Sequence, residues 1–154
     1  MIKSQLQLSL SRIHFSFDIW TSSACTAIIG ICAHFLASDL HLKHALIGLK
    51  EIEGAHQGET IAKLVGDLIQ WFEVEQNLGV FIGDNASNVD TATTALVRRF
   101  RLNSTEGRRS RCCGHIINLA AKAFLLGNGC EAFVDEVDAA EHRAARDEQY
   151  LVAQ

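Results

Sequence analysis

The stretch His14-Phe15-Ser16-Phe17-Asp18-Ile19-Trp20 decides the fold, because apolar and polar side chains alternate along it. Phe15, Phe17 and Ile19 fall on one face and Ser16, Asp18 and Trp20 on the other, as a strand with one buried face requires. Asp18 therefore stands off the main apolar face. Further along, residues 26–36 are rich in isoleucine and apolar on both faces, the pattern of a central strand. Ser38 and Asp39 supply turn chemistry before a third strand at 42–49. Three consecutive strands with short connections predict an antiparallel meander.

The period then changes. Ile61, Leu64, Val65, Leu68, Ile69 and Phe72 recur at helical spacing behind Gly58, which predicts an amphipathic helix covering the sheet. Residues 78–82 read as a short buried strand running out to Asp84. Ser87, followed three residues later by Asp90, reads as a capping box for the next helix. After a polar, arginine-rich loop, Ile116, Leu119, Ala120, Ala123 and Phe124 mark a further helix ending near Gly127 and Gly129. Residues 131–148 hold seven acidic and two basic side chains, the composition of a solvated helix or a frayed tail.

The fold class is thus α/β in the order β-β-β-α-β-α-α, with helices beginning only after the meander. A chain of 154 residues, 48% hydrophobic, supports one domain with a real core. Its parts are a short lead at 1–13, a core at 14–127 and the acidic segment at 128–154. No proline and no low-complexity tract divides it. The net charge of −4 excludes a dedicated, strongly basic nucleic-acid binder, so any DNA contact is expected to be local. Cys25, Cys32, Cys112, Cys113 and Cys130 are odd in number and lack the spacing of a secreted disulfide framework, which points to a reducing, intracellular compartment. No secretory signal is expected, and the longest apolar run, 27–37, is too short for a bilayer and is interrupted by His34, so no membrane partner is expected.

Two carboxylates carry the candidate chemistry. Asp18 and Asp84 each lie at the end of an expected strand, and they converge if those strands are neighbours. Paired carboxylates suit Mg²⁺, which takes one or two protein oxygens together with water and substrate phosphate oxygens. Two such ions stabilise both the attacking and the leaving oxygen of a phosphodiester displacement. Spacing alone favours Asp18 as an ordinary strand-end residue and Asp84-Asn85 as an ordinary turn, so periodicity by itself does not carry the metal site.

The combination of motifs is more specific. Asp18-Ile19-Trp20-Thr21-Ser22 resembles the first-aspartate motif of hAT-family DNA transposases. Residues 79–90 resemble the family's second-aspartate segment, and Arg111-Cys112-Cys113-Gly114-His115-Ile116-Ile117-Asn118-Leu119 resembles its Cys-x-x-His helix. Gly54-Ala55-His56-Gln57-Gly58 is similar to the entry of the first helix, especially in fungal members; Val89 replaces an asparagine frequent there. The three motifs stand in family order. The resemblance implies an incomplete RNase H-like fold in which Asp18 and Asp84 are catalytic and bind Mg²⁺ or Mn²⁺. The family's third acid, a glutamate, lies beyond a long helical insertion that this sequence does not reach. Nothing around Glu131, Glu136 or Glu141 resembles its motif, and with only a dozen or so residues ahead of the first strand, the family's upstream zinc-finger domain is not expected here. The resemblance further implies transposon-end DNA as partner, a nuclear location and room for a homo-oligomer. A truncated core lacking one ligand is expected to be inactive alone; the alternative is a domesticated, non-catalytic module that binds DNA or a protein.

Six arginines, Arg98, Arg99, Arg101, Arg108, Arg109 and Arg111, lie within fourteen residues, opposed only by Glu106. Arg108, Arg109 and Arg111, with His115, are the candidate DNA contacts; a solvated helix end answering the acidic tail fits the cluster equally well. Cys112 and His115 invite a zinc reading, but four ligands are needed and no second pair is recognisable. The competing reading packs Cys112 as a small hydrophobe and gives His115 a hydrogen bond near the carboxylates; the family resemblance implies instead that His115 helps position DNA. Trp20 and Trp71 read as core or edge aromatics.

Overall fold

A computed structural model describes residues 2–22, 26–52, 57–84 and 86–126. In chain order the elements are α1 (Ile2–Gln7), β1 (Ile13–Thr21), β2 (Ala27–Leu36), β3 (Leu42–Glu51), α2 (Gly58–Phe72), β4 (Leu78–Gly83), α3 (Ser87–Arg99), β5 (Arg109–Arg111) and α4 (Cys113–Leu126), with a 3₁₀ turn at Glu75–Asn77 before β4. One five-stranded sheet runs in the order β3-β2-β1-β4-β5. The expected meander is present: β1 pairs antiparallel with β2, and β2 with β3. β4 then crosses back through α2 to lie parallel to β1, and β5 lies parallel to β4. This mixed α/β sheet is the partial RNase H-like fold.

Alternation decides which face is covered. Ile13, Phe15 and Phe17 of β1 and Ile29, Ile31, Ala33 and Phe35 of β2 are buried, and they share one core with Ile61, Val65 and Ile69 of α2 and Val89, Ala92 and Leu96 of α3. Phe15 stacks on Phe81 of β4 with ring centroids 6.2 Å apart, a pair that contributes about 0.5–1.5 kcal/mol beyond its buried area. The opposite face carries His14, Ser16, Asp18 and Trp20 of β1 and, on β3, the exposed Leu42, Leu46 and Leu49.

Three local expectations are corrected. Residues 2–7 form a helix, so helices do not begin only after the meander. Six residues are too few for helical periodicity to register, and α1 is held by Leu6, which is fully buried, and by its polar side chains. The last carbonyls of α2 lack intrahelical donors; Lys3 Nζ donates to Trp71 O at 2.8 Å and Gln7 Nε2 to Phe72 O at 3.3 Å. The same two side chains donate to the Glu73 carboxylate at 2.7 and 3.1 Å, and Glu73 closes α2 in the left-handed conformation, φ 59°.

The arginine-rich loop contains β5, a three-residue strand with no apolar residue for a pattern to detect. The capping box does not form: the N-cap of α3 is Ala86, with no side-chain cap, and Ser87 is already helical. The Asp84 side chain takes the Ala86 N–H at 2.9 Å, so the turn before the helix is organised from Asp84. The acidic segment 128–154 lies outside the described residues.

Candidate active site

The parallel pairing of β1 with β4 positions the carboxylates. Ser16 lies beside Ile82; two residues further along each chain stand Asp18 and Asp84, on the same side of the sheet by strand alternation. Both open into one cavity of about 510 Å³, which Trp20, Cys112, His115 and Asn118 also line. Asp18 is exposed and one of its oxygens accepts the Ile19 N–H at 3.1 Å. Asp84 is half-buried, and its Oδ1 is the acceptor of the Ala86 turn. Both carboxylates line the cavity wall. Among the described residues neither forms an ion pair with a lysine, arginine or histidine. Two anions on adjacent strands with no basic partner are a donor set suited to a hard divalent cation. No third histidine, cysteine, aspartate or glutamate among the described residues joins them at metal-holding distance.

The arginine cluster separates into two groups. Arg108 is half-buried, and its Nη1 donates to Leu78 O at 2.5 Å and Gly79 O at 3.0 Å. Arg109 donates through Nε to Asp90 Oδ1 at 2.8 Å and through its guanidinium to the backbone carbonyls of Gly83, Asp84 and Ser110. It thus grips the main chain at Asp84 and ties β4 to the first turn of α3. Arg98 pairs with Glu59 at 2.9 Å and Arg99 with Asp67 at 2.6 Å, both bridging α3 to α2. Arg101 and Arg111 are exposed and make no ion pair among the described residues. Sequence reasoning missed the holding contacts of Arg109, because its acceptors on Asp90, Gly83 and Asp84 lie 19–26 residues away and no spacing rule links them.

The Cys112 N–H donates to Gly83 O at 2.7 Å, pinning the entry of α4 to the end of β4. Cys112 precedes the helix rather than sharing a helical face with His115, yet both line the cavity, with His115 half-buried. Trp20 rests against Gly30 of β2, where an added Cβ would stand 3.2 Å from the indole. It is 43% exposed and Trp71 64%, so neither is a core residue. His56, Cys130, Glu131, Glu136 and Glu141 lie outside the described residues.

Comparison with known proteins agrees with this fold. The family model of the ZBED1 RNase-like domain matches residues 16–109, well over half of the chain. Two Zea mays proteins, "Putative AC transposase" and "Putative AC9 transposase", are each 26% identical over 120 residues, covering 73% of this chain. A Talaromyces stipitatus protein, "Putative transcriptional regulator tpeD", is 22% identical over 119 residues, covering 75% of this chain. The chain spans only 14–15% of the length of these relatives. With the mixed sheet, the family match and these relatives in agreement, the chain belongs to the ZBED1 RNase-like domain family and is related to the hAT-type transposases.

Proposed function

We propose that this chain is part of a hAT-type DNA transposase core, in which Asp18 and Asp84 hold Mg²⁺ or Mn²⁺ for phosphodiester cleavage and strand transfer at transposon ends. The observation that carries this reading is the pair of carboxylates at one cavity, on adjacent parallel strands, with no basic partner among the described residues. A divalent ion bound there would neutralise charge developing on a scissile phosphate. Asp18 and Asp84 would each supply an oxygen to it, and Arg109 would fix the backbone on which Asp84 stands. His115, at the cavity wall, and Arg111, exposed at the end of β5, would meet the phosphate backbone. Arg108 and Arg109 would act from behind, by holding β4 and β5 in register. The protein would work in the nucleus, where such DNA lies. With two carboxylates, the chain by itself would cleave DNA weakly or not at all, because this chemistry depends on accurately positioned ions.

The test is calorimetric titration of the chain with Mn²⁺ and Mg²⁺. Binding should weaken about tenfold or more in Asp18→Asn and in Asp84→Asn. Equal affinity in all three proteins would overturn the site. Robust Mg²⁺- or Mn²⁺-dependent nicking of plasmid DNA, lost in both variants, would overturn the proposed inactivity.

A second reading, a domesticated binding module without catalysis, draws on the relative named as a transcriptional regulator. Salt-sensitive DNA binding that survives loss of both aspartates would favour it over the first.

A further inference from the structure

A histidine row crosses the open face of the sheet away from the carboxylates. His14 of β1 lies opposite His34 of β2, and His34 opposite His44 of β3. The row borders a second cavity of about 390 Å³, which Ser11, Leu42 and Lys43 also line. We propose that His34 and His44 form a two-imidazole site for a borderline divalent transition-metal ion such as Ni²⁺ or Zn²⁺.

The spacing sets what binding requires. A metal–nitrogen bond of about 2.0–2.1 Å sets a ring centroid roughly 3.2 Å from the ion, so two bound rings lie roughly 5.3 Å apart at a tetrahedral angle and roughly 6.4 Å apart when trans. The His34 and His44 centroids are 6.4 Å apart, at the trans limit, so an inward turn of one ring by roughly 1 Å brings the pair to a tetrahedral angle. His44 is exposed, so its ring can turn inward without disturbing the core. The His34 ring is held at its other nitrogen, Nε2, by the Ser16 hydroxyl at 2.7 Å; with the proton on Nε2, the Nδ1 lone pair is left for a ligand, as in sites where a neighbouring group fixes the tautomer. His14 is different, because its Nδ1 accepts the Val80 N–H at 3.2 Å and that lone pair is committed. Lys43 is engaged by Asp39 at 2.7 Å, which ties down the nearest ammonium. Among the described residues no three metal-binding side chains share a point, so solvent fills the remaining coordination positions.

The experiment uses the full chain carrying Asp18→Asn and Asp84→Asn, so that the carboxylate pair does not contribute, with Ni²⁺ as the probe. Calorimetry should give one ion per chain, unaffected by millimolar Mg²⁺, which prefers oxygen ligands. Paramagnetic broadening should fall first on the His34 and His44 ring signals. His44→Gln, at an exposed position, should weaken binding about tenfold or more, while His14→Gln stays within about twofold. The proposal is overturned by absence of binding, by binding that survives His44→Gln, by equal losses in the His14 and His44 variants, or by broadening centred on the cysteines.

Discussion

Replacing Arg109 by methionine tests whether this side chain builds the fold or meets DNA. Methionine keeps an apolar stem and removes the guanidinium, which is only 14% exposed, from Asp90 and from the carbonyls of Gly83 and Asp84. Asp90 is 54% exposed, so its ion pair contributes no more than about 1 kcal/mol. The Gly83 contact is long at 3.4 Å and adds little. The Asp84 carbonyl, left without its charged donor in a half-buried turn, costs about 1–2 kcal/mol more. The expected loss is therefore about 1–3 kcal/mol, or roughly 2–12 °C in Tm for a chain of this size. Urea unfolding followed by tryptophan fluorescence, with a thermal scan, measures it. Because the same contacts hold the backbone of Asp84, Mn²⁺ affinity should fall alongside stability. A change below about 0.5 kcal/mol together with a clear loss of DNA affinity would refute this reasoning and return Arg109 to the role of an exposed phosphate contact.

Leu6→Ala should cost about 2–5 kcal/mol in urea unfolding, since Leu6 is fully buried and anchors α1; a loss under about 1 kcal/mol would mean that α1 contributes nothing to the core. Gly58→Ala should destabilise by about 1–3 kcal/mol despite alanine's better helix propensity, because the new Cβ would stand 2.5 Å from Asn88 O and 2.8 Å from Ala92 N; a gain in Tm would show that α2 and α3 do not pack this closely. The lowered pKa of His34 fixes the sign of one pH effect. Below pH 6.5 the unfolded chain takes up a proton that the folded ring resists, so stability is full above that value and falls as pH drops towards the folded pKa. Unfolding free energies between pH 7.5 and 5.5 should slope downward in the wild type and less steeply in His34→Gln; identical slopes would rule the effect out.

The meander, the amphipathic helix and the β4 strand were legible because each rests on a period repeated many times, and tertiary packing kept those periods. The neighbouring placement of β1 and β4 was not legible from pattern alone. The first strand reads as half-buried and the 78–82 strand as buried, but only the return of the chain through α2 decides which strand β4 joins. The carboxylates at positions 18 and 84 were visible as strand-end acids, and their shared cavity follows from that return. What periodicity missed was short or non-repeating. α1 has a single buried anchor, β5 is Arg-Ser-Arg, and the turn before α3 is organised by the side chain of Asp84 rather than by Ser87. The arginine cluster was legible as charge and not as structure, because the partners of Arg108, and of Arg109 apart from Asp90, are main-chain carbonyls, which carry no sequence signature.

The clamp between α1 and the end of α2 has a consequence for the order in which the molecule assembles. Lys3 is translated first, yet its acceptor on Glu73 lies 70 residues later, so at a synthesis rate of roughly 5–20 residues per second the opening turn waits several seconds for its dock. During that interval Leu6 has no core to enter, and the segment is a target for chaperones or for an aberrant neighbour.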